Sequence, residues 1–444
     1  MPRDAQVPVA PIEADAAFEQ LAKFDHVVLA VSGGPDSMAL LVLAAEWRQR
    51  RNGALPSLSA ATVDHRLRPE ASREAGFVAR ESLRLGLPHA TLPWTDEKPL
   101  SGIPDAARQA RYRLLEAHAR SLAASTVAVV TAHHLDDQAE TFAMRLARGA
   151  GVTGLSAMPA ERALLEGSTV RLLRPLLPFP KSRLIATLEA RGVPCVDDPT
   201  NKDSRYERAR IRHALLPALV ATGISAAALA TSARRLGDAE AALHYAEERF
   251  TATLALSFGN EVFAAFDREA FREGPTLLRQ RLLARLIARY GGASERPELS
   301  EIEDLAARLQ AEEKSTATLG GAMVSSGSRF IRVWREAGRL AQPDLLLVPG
   351  ESRTWDRRFI VRRVPEAIGP VRVRPLGQEN YLVIAGRLIP GRRPPARAVH
   401  ALPSFWKDDD LVAVPSLAPF AVASEAPFLE AGCELKALAL SAAY

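Results

Sequence analysis

Residues 32–37 read Ser-Gly-Gly-Pro-Asp-Ser, set between two apolar runs in VVLAVSGGPDSMALLVL. These types at this spacing suit anion binding. Gly33 and Gly34 tolerate positive φ and let a ligand approach the main chain closely. Successive N–H groups in such a turn form an anion nest. A helix beginning near Pro35 adds the positive end of its dipole, and Ser32 and Ser37 supply hydroxyl donors. Asp36 is the discordant member, because a carboxylate repels phosphate. It fits if it holds Mg2+ or caps the helix. The stretch lacks the Gly-Lys-Ser/Thr ending of a Walker loop. It is not a Gly-x-Ser-x-Gly elbow either, since Ser32 precedes both glycines. Taken alone, it is either a phosphate cradle or an ordinary strand–turn–helix junction.

The elements that must position this loop are legible as alternating patterns over the first ~215 residues. Apolar runs at 26–31, 57–63, 89–94 and 126–132 read as strands. Ser37–Arg51, Glu70–Leu85, Pro104–Arg120 and Leu135–Arg148 read as the helices between and after them. The alternation predicts a doubly wound, mostly parallel α/β sheet of Rossmann-like type. Ligands bind such sheets at the carboxyl ends of the strands, here after Val31, Val63 and Ala132. Beyond Pro217, Leu229, Leu236, Leu243 and Phe250 recur every seven residues and predict one long helix. Helices at 277–290 and 300–313 and a hairpin over 316–336 complete a mainly helical middle region. Residues 341–444 are rich in strand patterns and proline. The expected domains are therefore 1–217, 218–340 and 341–444.

With 444 residues, 47% hydrophobic and 25% charged, the chain is long enough for two or three ordinary globular cores. No apolar run approaches the ~18 residues of a membrane helix, and the N-terminal stretch does not read as a signal peptide. The two cysteines, Cys195 and Cys433, form neither a disulfide framework nor a CxxC pair. The expectation is a soluble, reduced, cytoplasmic protein. The net charge of +5 is unevenly placed. Between Glu351 and His400 eleven arginines face four acidic residues, a local excess of +7. Such a segment suits a phosphate-bearing partner, although the chain's preference for arginine over lysine explains it almost as well.

Further segments narrow the reading. VDHRLRPEASREA follows the second strand, AARQARY lies at 106–112, and TAHHLDDQAETFAMRLARGAGVTGLSAM follows the last clear strand. RPLLPFPKSRL and DDPTNKDSRYERARIRHALLPAL close the region. The SGGPDS loop resembles that of the PP-loop ATP pyrophosphatases. Together, in order and spacing, the segments resemble the tRNA(Ile)-lysidine synthase family within that superfamily. Ala71 and Thr200 stand where serines are common in it. The resemblance implies ATP and Mg2+ as cofactors, a CAU-anticodon isoleucine tRNA and L-lysine as substrates, and a carbon–nitrogen ligase. ATP would adenylate the C2 oxygen of the wobble cytidine, and the lysine ε-amine would then displace AMP. It leaves the oligomeric state open and admits a homodimer.

Carried onto this sequence, the resemblance assigns Ser32, Gly33, Gly34, Pro35, Asp36 and Ser37 to the ATP phosphates, with Asp36 at the metal. Ala30 and Val63 would border the adenine. The catalytic set would be Asp36, His133, Asp137 and Arg111. Asp137, Glu140 and Thr141 share a helix face, and two carboxylates there suit a cationic lysine. Arg108, one face with Arg111, would clamp phosphate or the target base. Gly149, Gly151 and Gly154 would shape a pocket for a flipped cytosine. Lys181, Arg205, Arg208, Arg210 and Arg212 would touch tRNA phosphate, or simply form a solvated face. Rival readings are weaker. A tRNA thiolase generally calls for paired or cluster-binding cysteines, and a small-molecule amidating ligase has no need of the long appended regions. A metal hydrolase built on HHLDD lacks further spaced ligands.

Overall fold

Consecutive β-branched and aliphatic residues in the early strands can be buried only if both faces of their sheet are covered, and that is the arrangement found. The computed structural model describes residues 7–51, 56–68, 70–99, 101–165, 167–196, 207–292, 297–312, 314–341, 343–422 and 432–437. The chain divides into two units, Met1–Ala241 and Ala242–Tyr444. The first unit runs α1 (Pro11–Phe18), β1 (His26–Ala30), α2 (Pro35–Arg50), β2 (Ser57–Asp64), α3 (Ala71–Arg84), β3 (His89–Pro93), α4 (Ile103–Ser121) and β4 (Val127–Val130). It continues with α5 (Leu135–Leu146), α6 (Val152–Leu155), β5 (Glu161–Ala163), β6 (Arg171–Leu173), α7 (Lys181–Arg191), α8 (Glu207–Arg210), a π-helical turn (Ile211–Leu215) and α9 (Leu216–Ala221). Helix α10 (Ala226–Thr253) contains the division between the units.

The six strands lie in the order β3-β2-β1-β4-β6-β5, parallel except for β5. The four strands and four helices expected from the sequence fall within two residues of these bounds. The three-residue strands β5 and β6 escape the apolar-run criterion because they are so short. Strand β1 pairs with β2 on one side and β4 on the other. The chain order therefore reverses at β1, and the crevice beyond β1 and β4 is the switch point where α/β sheets bind ligands.

Val27 and Leu29 face a core with Leu40, Leu41, Trp47 and Leu184, contributed by α2 and α7. Val28 faces the opposite core with Tyr112, Leu115 and Val129. Helix α2 buries nearly every residue from Ser37 to Ala45, which is why MALLVLAA is apolar all round and not striped. Each large aliphatic side chain buried there contributes about 1.5–3 kcal/mol. This packing fixes the start of α2, and with it the SGGPDS loop, against the sheet.

In the second unit a five-stranded antiparallel sheet joins the helices of the middle region. It comprises β7 (Ser257–Phe258), β8 (Phe263–Asp267), β9 (Ser315–Leu319), β10 (Ala322–Ser326) and β11 (Phe330–Arg335). The sheet packs on α12 (Thr276–Gly291) and α13 (Leu299–Ala311) through Phe266, Leu282, Ile287, Leu305 and Val333. α11 (Arg268–Glu273) caps β8. The heptad leucines lie on α10 as expected: Leu229 and Leu236 pack with Phe142, while Phe250 enters the core of the second unit. The C-terminal region holds two small antiparallel sheets. One has the order β12-β15-β16-β17, formed by β12 (Leu345–Leu347), β15 (Val371–Pro375), β16 (Pro403–Lys407) and β17 (Asp410–Ala413). The other is β13 (Ser352–Trp355), β14 (Phe359–Arg363) and β18 (Cys433–Ala437).

A buried ion pair ties β11 to the turn after β13. Arg335, 2% exposed, donates from Nε to Asp356 Oδ2 at 2.7 Å and from Nη2 to Oδ1 at 2.8 Å. Its Nη1 donates to the Gly321 carbonyl at 2.7 Å. Gly321 sits at φ +79°, and a Cβ there would lie 2.5 Å from that nitrogen. The arginine-rich segment is only partly a surface. Arg358 and Arg363 are buried, and Arg353, Arg362 and Arg372 are paired with Glu351, Glu434 and Asp344. Arg392, Arg393 and Arg397 are exposed, with no carboxylate partner among the described residues.

Candidate active site

The junction of β1 and α2 is the tight turn between strand and helix that its residue types predict. Gly33 takes φ +91°, a conformation L side chains rarely adopt, and its carbonyl accepts the Val196 N–H at 2.9 Å. Gly34 is the N-cap of α2 and Pro35 its first residue, a position that tolerates the missing N–H. The Ser37 hydroxyl donates to the Gly34 carbonyl at 2.9 Å and lies 3.1 Å from the Ser32 amide, which donates to it. These bonds fix the turn of the loop.

A cavity of about 710 Å³ opens on this loop at the switch point. It brings together Ala30, Ser32, Gly34, Pro35, Asp36, Ser37, Val63, Arg108, Arg111, His133 and Asp137, all of them expected from the sequence. Gly33 shapes the loop from behind. Glu140 and Thr141 do not line the cavity. Glu140 is 1% exposed, with both oxygens held by arginines, and the Thr141 hydroxyl donates to the Asp137 carbonyl of its own helix at 2.8 Å. Gly149, Gly151 and Gly154 also lie outside the lining. Their loop is instead pinned by Arg145, whose Nη1 donates to the carbonyls of Gly154 and Ala157. Arg205 lies outside the described residues.

The residue that sequence reasoning missed is His134. It is 1% exposed and N-caps α5. Its Nε2 lies 3.5 Å from both Asp36 Oδ2 and Asp137 Oδ2, and its Nδ1 lies 3.4 Å from Asp136 Oδ2. Burial alone would push the imidazole down, but Asp136, Asp36 and Asp137 outweigh it and raise it to about 9. The ring is thus an imidazolium at neutral pH. Burial likewise pushes the Asp36 and Asp136 carboxyls up, and His134 with Lys181 more than reverses this, holding both below the ordinary aspartate value. Lys181 does not stand on an outer face. Its Nζ reaches Asp36 Oδ2 at 3.1 Å, and its amide donates to Asp136 Oδ2 at 2.8 Å. The first turns of α2, α5 and α7, each a positive dipole end, therefore all meet this carboxylate cluster.

His133 points the other way electrically. Burial first, then Arg174, Arg208 and Arg108, lower it to about 3, so it is neutral. Its Nδ1 sits 2.8 Å from the Thr131 hydroxyl. His65, also in the lining, is lowered to about 4 by burial and by Arg111 and Lys98. It can therefore accept the Arg111 guanidinium at 3.4 Å. Arg108 stacks over Tyr112, with its carbon 5.2 Å from the ring centre. Neither Arg108 nor Arg111 has a carboxylate partner among the described residues, so the cavity lining carries two cations without a carboxylate beside them.

Mg2+ is implied by the loop, and the donors present fit it. Asp36 Oδ1 is buried without a hydrogen-bond partner, while Oδ2 is occupied by Lys181. One carboxylate oxygen beside this loop suits a cation that keeps waters and substrate phosphates as its other ligands. Among the described residues no group of three or more His, Cys, Asp or Glu is placed to hold a metal ion by itself.

Residues 10–219 match the PP-loop domain family. A tRNA(Ile)-lysidine synthase of Bradyrhizobium sp. (strain BTAi1) is 45% identical over 348 residues, 74% of this chain and 94% of the relative. That of Bradyrhizobium diazoefficiens is 46% identical over 315 residues, 70% of this chain and 85% of the relative. That of Ruegeria pomeroyi is 38% identical over 391 residues, 87% of each. Among solved structures, the U34-tRNA thiolase NcsA from Methanococcus maripaludis, with its 4Fe–4S cluster, overlaps 51% of this chain and 78% of its own at 16% identity and a TM-score of 0.41.

Proposed function

The chain belongs to the tRNA(Ile)-lysidine synthase family of PP-loop enzymes, and from that premise we propose that it ligates L-lysine to C2 of the wobble cytidine in a CAU-anticodon tRNA(Ile), at the expense of ATP. The observation that carries this reading is the cavity's division. A phosphate cradle and two arginines without a carboxylate beside them line it together with Asp137, part of a buried carboxylate cluster suited to an ammonium.

The cytosine C2 carbonyl is a poor electrophile, and adenylation converts its oxygen into a leaving group. The Ser32–Ser37 loop holds the triphosphate through main-chain N–H groups and hydroxyls. Ala30 and Val63 flank the base of the nucleotide. Arg108 and Arg111 neutralise the charge that develops as pyrophosphate leaves, the kind of stabilisation that dominates phosphoryl and nucleotidyl transfer. Asp36, through its free Oδ1, would hold Mg2+, which supplies further neutralisation of the phosphates. His133, neutral and bonded to Thr131, donates or accepts a hydrogen bond at the adenylate. A ring lowered to about 3 is a poor proton acceptor, so we give it no acid–base role. Asp137 receives the lysine ammonium and orients it toward C2; after that group has lost a proton to solvent, the free ε-amine forms the C2–N bond as the C2–O bond breaks and AMP departs.

The test combines the protein, ATP and Mg2+, unmodified CAU-anticodon tRNA(Ile) and labelled lysine. Label should enter the tRNA with one AMP and one pyrophosphate per lysine. AMP release without label in the tRNA, or equal labelling of an initiator tRNA bearing the same anticodon, would sink the reading.

A further inference from the structure

The carboxylates suited to an ammonium are already occupied. Arg208 donates from Nε to Glu140 Oε2 at 2.7 Å and from Nη2 to Asp137 Oδ1 at 2.8 Å. Arg212 donates from Nη2 to Glu140 Oε2 at 3.0 Å and from Nε to Oε1 at 2.5 Å, with the same Nη2 3.5 Å from Asp137 Oδ1. Among the described residues, both Glu140 oxygens and Asp137 Oδ1 are thus already held by guanidinium groups. An ammonium added while these guanidinium groups stay in place would crowd like charges in a poorly solvated site, which is unfavourable.

The two sides of these ion pairs are not equally fixed. The Glu140 and Asp137 side chains are 1% and 13% exposed and belong to a regular helix. Those of Arg208 and Arg212 are 38% and 29% exposed on long stems. Arg208 sits on the four-residue α8, and Arg212 lies in the π-helical turn that follows, a rare geometry frequent at functional sites. Both arginines line the same cavity as the phosphate loop. A guanidinium binds phosphate in bidentate fashion as readily as carboxylate.

We propose that Arg208 and Arg212 form a charge relay: on ATP binding they transfer from Asp137 and Glu140 to the triphosphate, and only then do the carboxylates accept the lysine ammonium. The relay rests on the assignment of Asp137 to that ammonium. It makes ATP the first ligand and lysine the second, and it keeps the amine site closed until there is a nucleotide to consume. No covalent step is involved. Because coupling is reciprocal, lysine must tighten the nucleotide by the same factor as the nucleotide tightens lysine.

Calorimetric titration of the full chain with L-lysine, alone and with saturating α,β-methylene-ATP and Mg2+, tests the relay. Lysine should bind at least tenfold more tightly with the analogue. In R208Q/R212Q the affinity for lysine without the analogue should rise and the coupling should fall toward unity. Coupling below twofold in the unmutated protein, or undiminished coupling in the double variant, overturns the relay. Lysine binding that needs Asp137 yet ignores the analogue overturns the relay alone. Lysine binding left intact in D137N overturns the ammonium site and the relay with it. Should the double variant fold poorly, the 15N-arginine Nε–H resonances of the unmutated protein give the same answer. The two signals assigned by R208K and R212K should shift on adding the analogue without lysine, and unmoved signals overturn the proposal.

Discussion

At the scale of single residues, His134 sets the protonation of the site. Its ordinary value is 6.5 and its folded value about 9. Its proton therefore stabilises the fold fully below pH 6.5, and that contribution fades as pH rises from 6.5 toward 9. The effect is on the order of 3 kcal/mol. We expect the unfolding midpoint of the protein to fall more steeply across pH 6.5–9 than that of H134Q, with the two curves converging at the alkaline end. Parallel curves would show that His134 is not charged at neutrality. H134Q should also lose most activity, because Asp36 and Asp137 are left facing each other across a neutral group. The adjacent His133, at a strand end, is the histidine that the resemblance assigns to the site, and it lines the cavity. His134 was illegible because its three partners come from α2 and α5, and no spacing within one helix announces a contact between Asp36 and residue 134. Arg335 and Arg363 are different. They share the inward phase of Ile331 and Val333 on β11, and of Phe359 and Val361 on β14. Period two alone would have placed these arginines in the core.

At the scale of elements, the strand–loop–helix unit β1–α2 was the most readable part of the chain. Its apolar runs are long, and its break contains the two glycines the turn requires. Gly33 at φ +91° makes a specific demand. In G33A, a left-handed L-residue costs about 1–2 kcal/mol, and relaxing that strain tilts the cradle. The expected result is a modest loss of thermal stability together with a disproportionate loss of affinity for an ATP analogue, read by melting and titration. Equal nucleotide affinity in G33A would mean the loop amides do not hold the phosphates. The short elements were unreadable for an equally plain reason. Strands β5 and β6 have three residues each, too few to establish a period, and α8 with its π turn has a polar, arginine-rich sequence that reads as a solvated face.

At the scale of the whole molecule, charge that looked like one basic patch separates into buried struts and an exposed remainder. Replacing Arg335 by methionine strands Asp356, and breaking such a buried pair costs about 3–5 kcal/mol. Denaturant melts of R335M should show that loss, with partial recovery in R335M/D356N, where the orphaned charge is removed. Arg392, Arg393 and Arg397 belong to the exposed remainder, together with Arg357 and Arg387. Joint replacement of Arg392, Arg393 and Arg397 by glutamine should weaken tRNA binding and reduce its logarithmic salt slope by up to about 3, while leaving the melt unchanged. An unaltered slope would assign the arginines to some other role. The meeting of three helix starts at one cluster carries a last consequence, for turnover. A cradle that attracts a triphosphate also attracts the fragment cut from it, so the enzyme should be slow to let its inorganic product go. Progress curves are expected to bend early from product inhibition and to straighten when an inorganic pyrophosphatase is added. In a cell, the rate of decoding-competent tRNA production would then be tied to how quickly pyrophosphate is cleared.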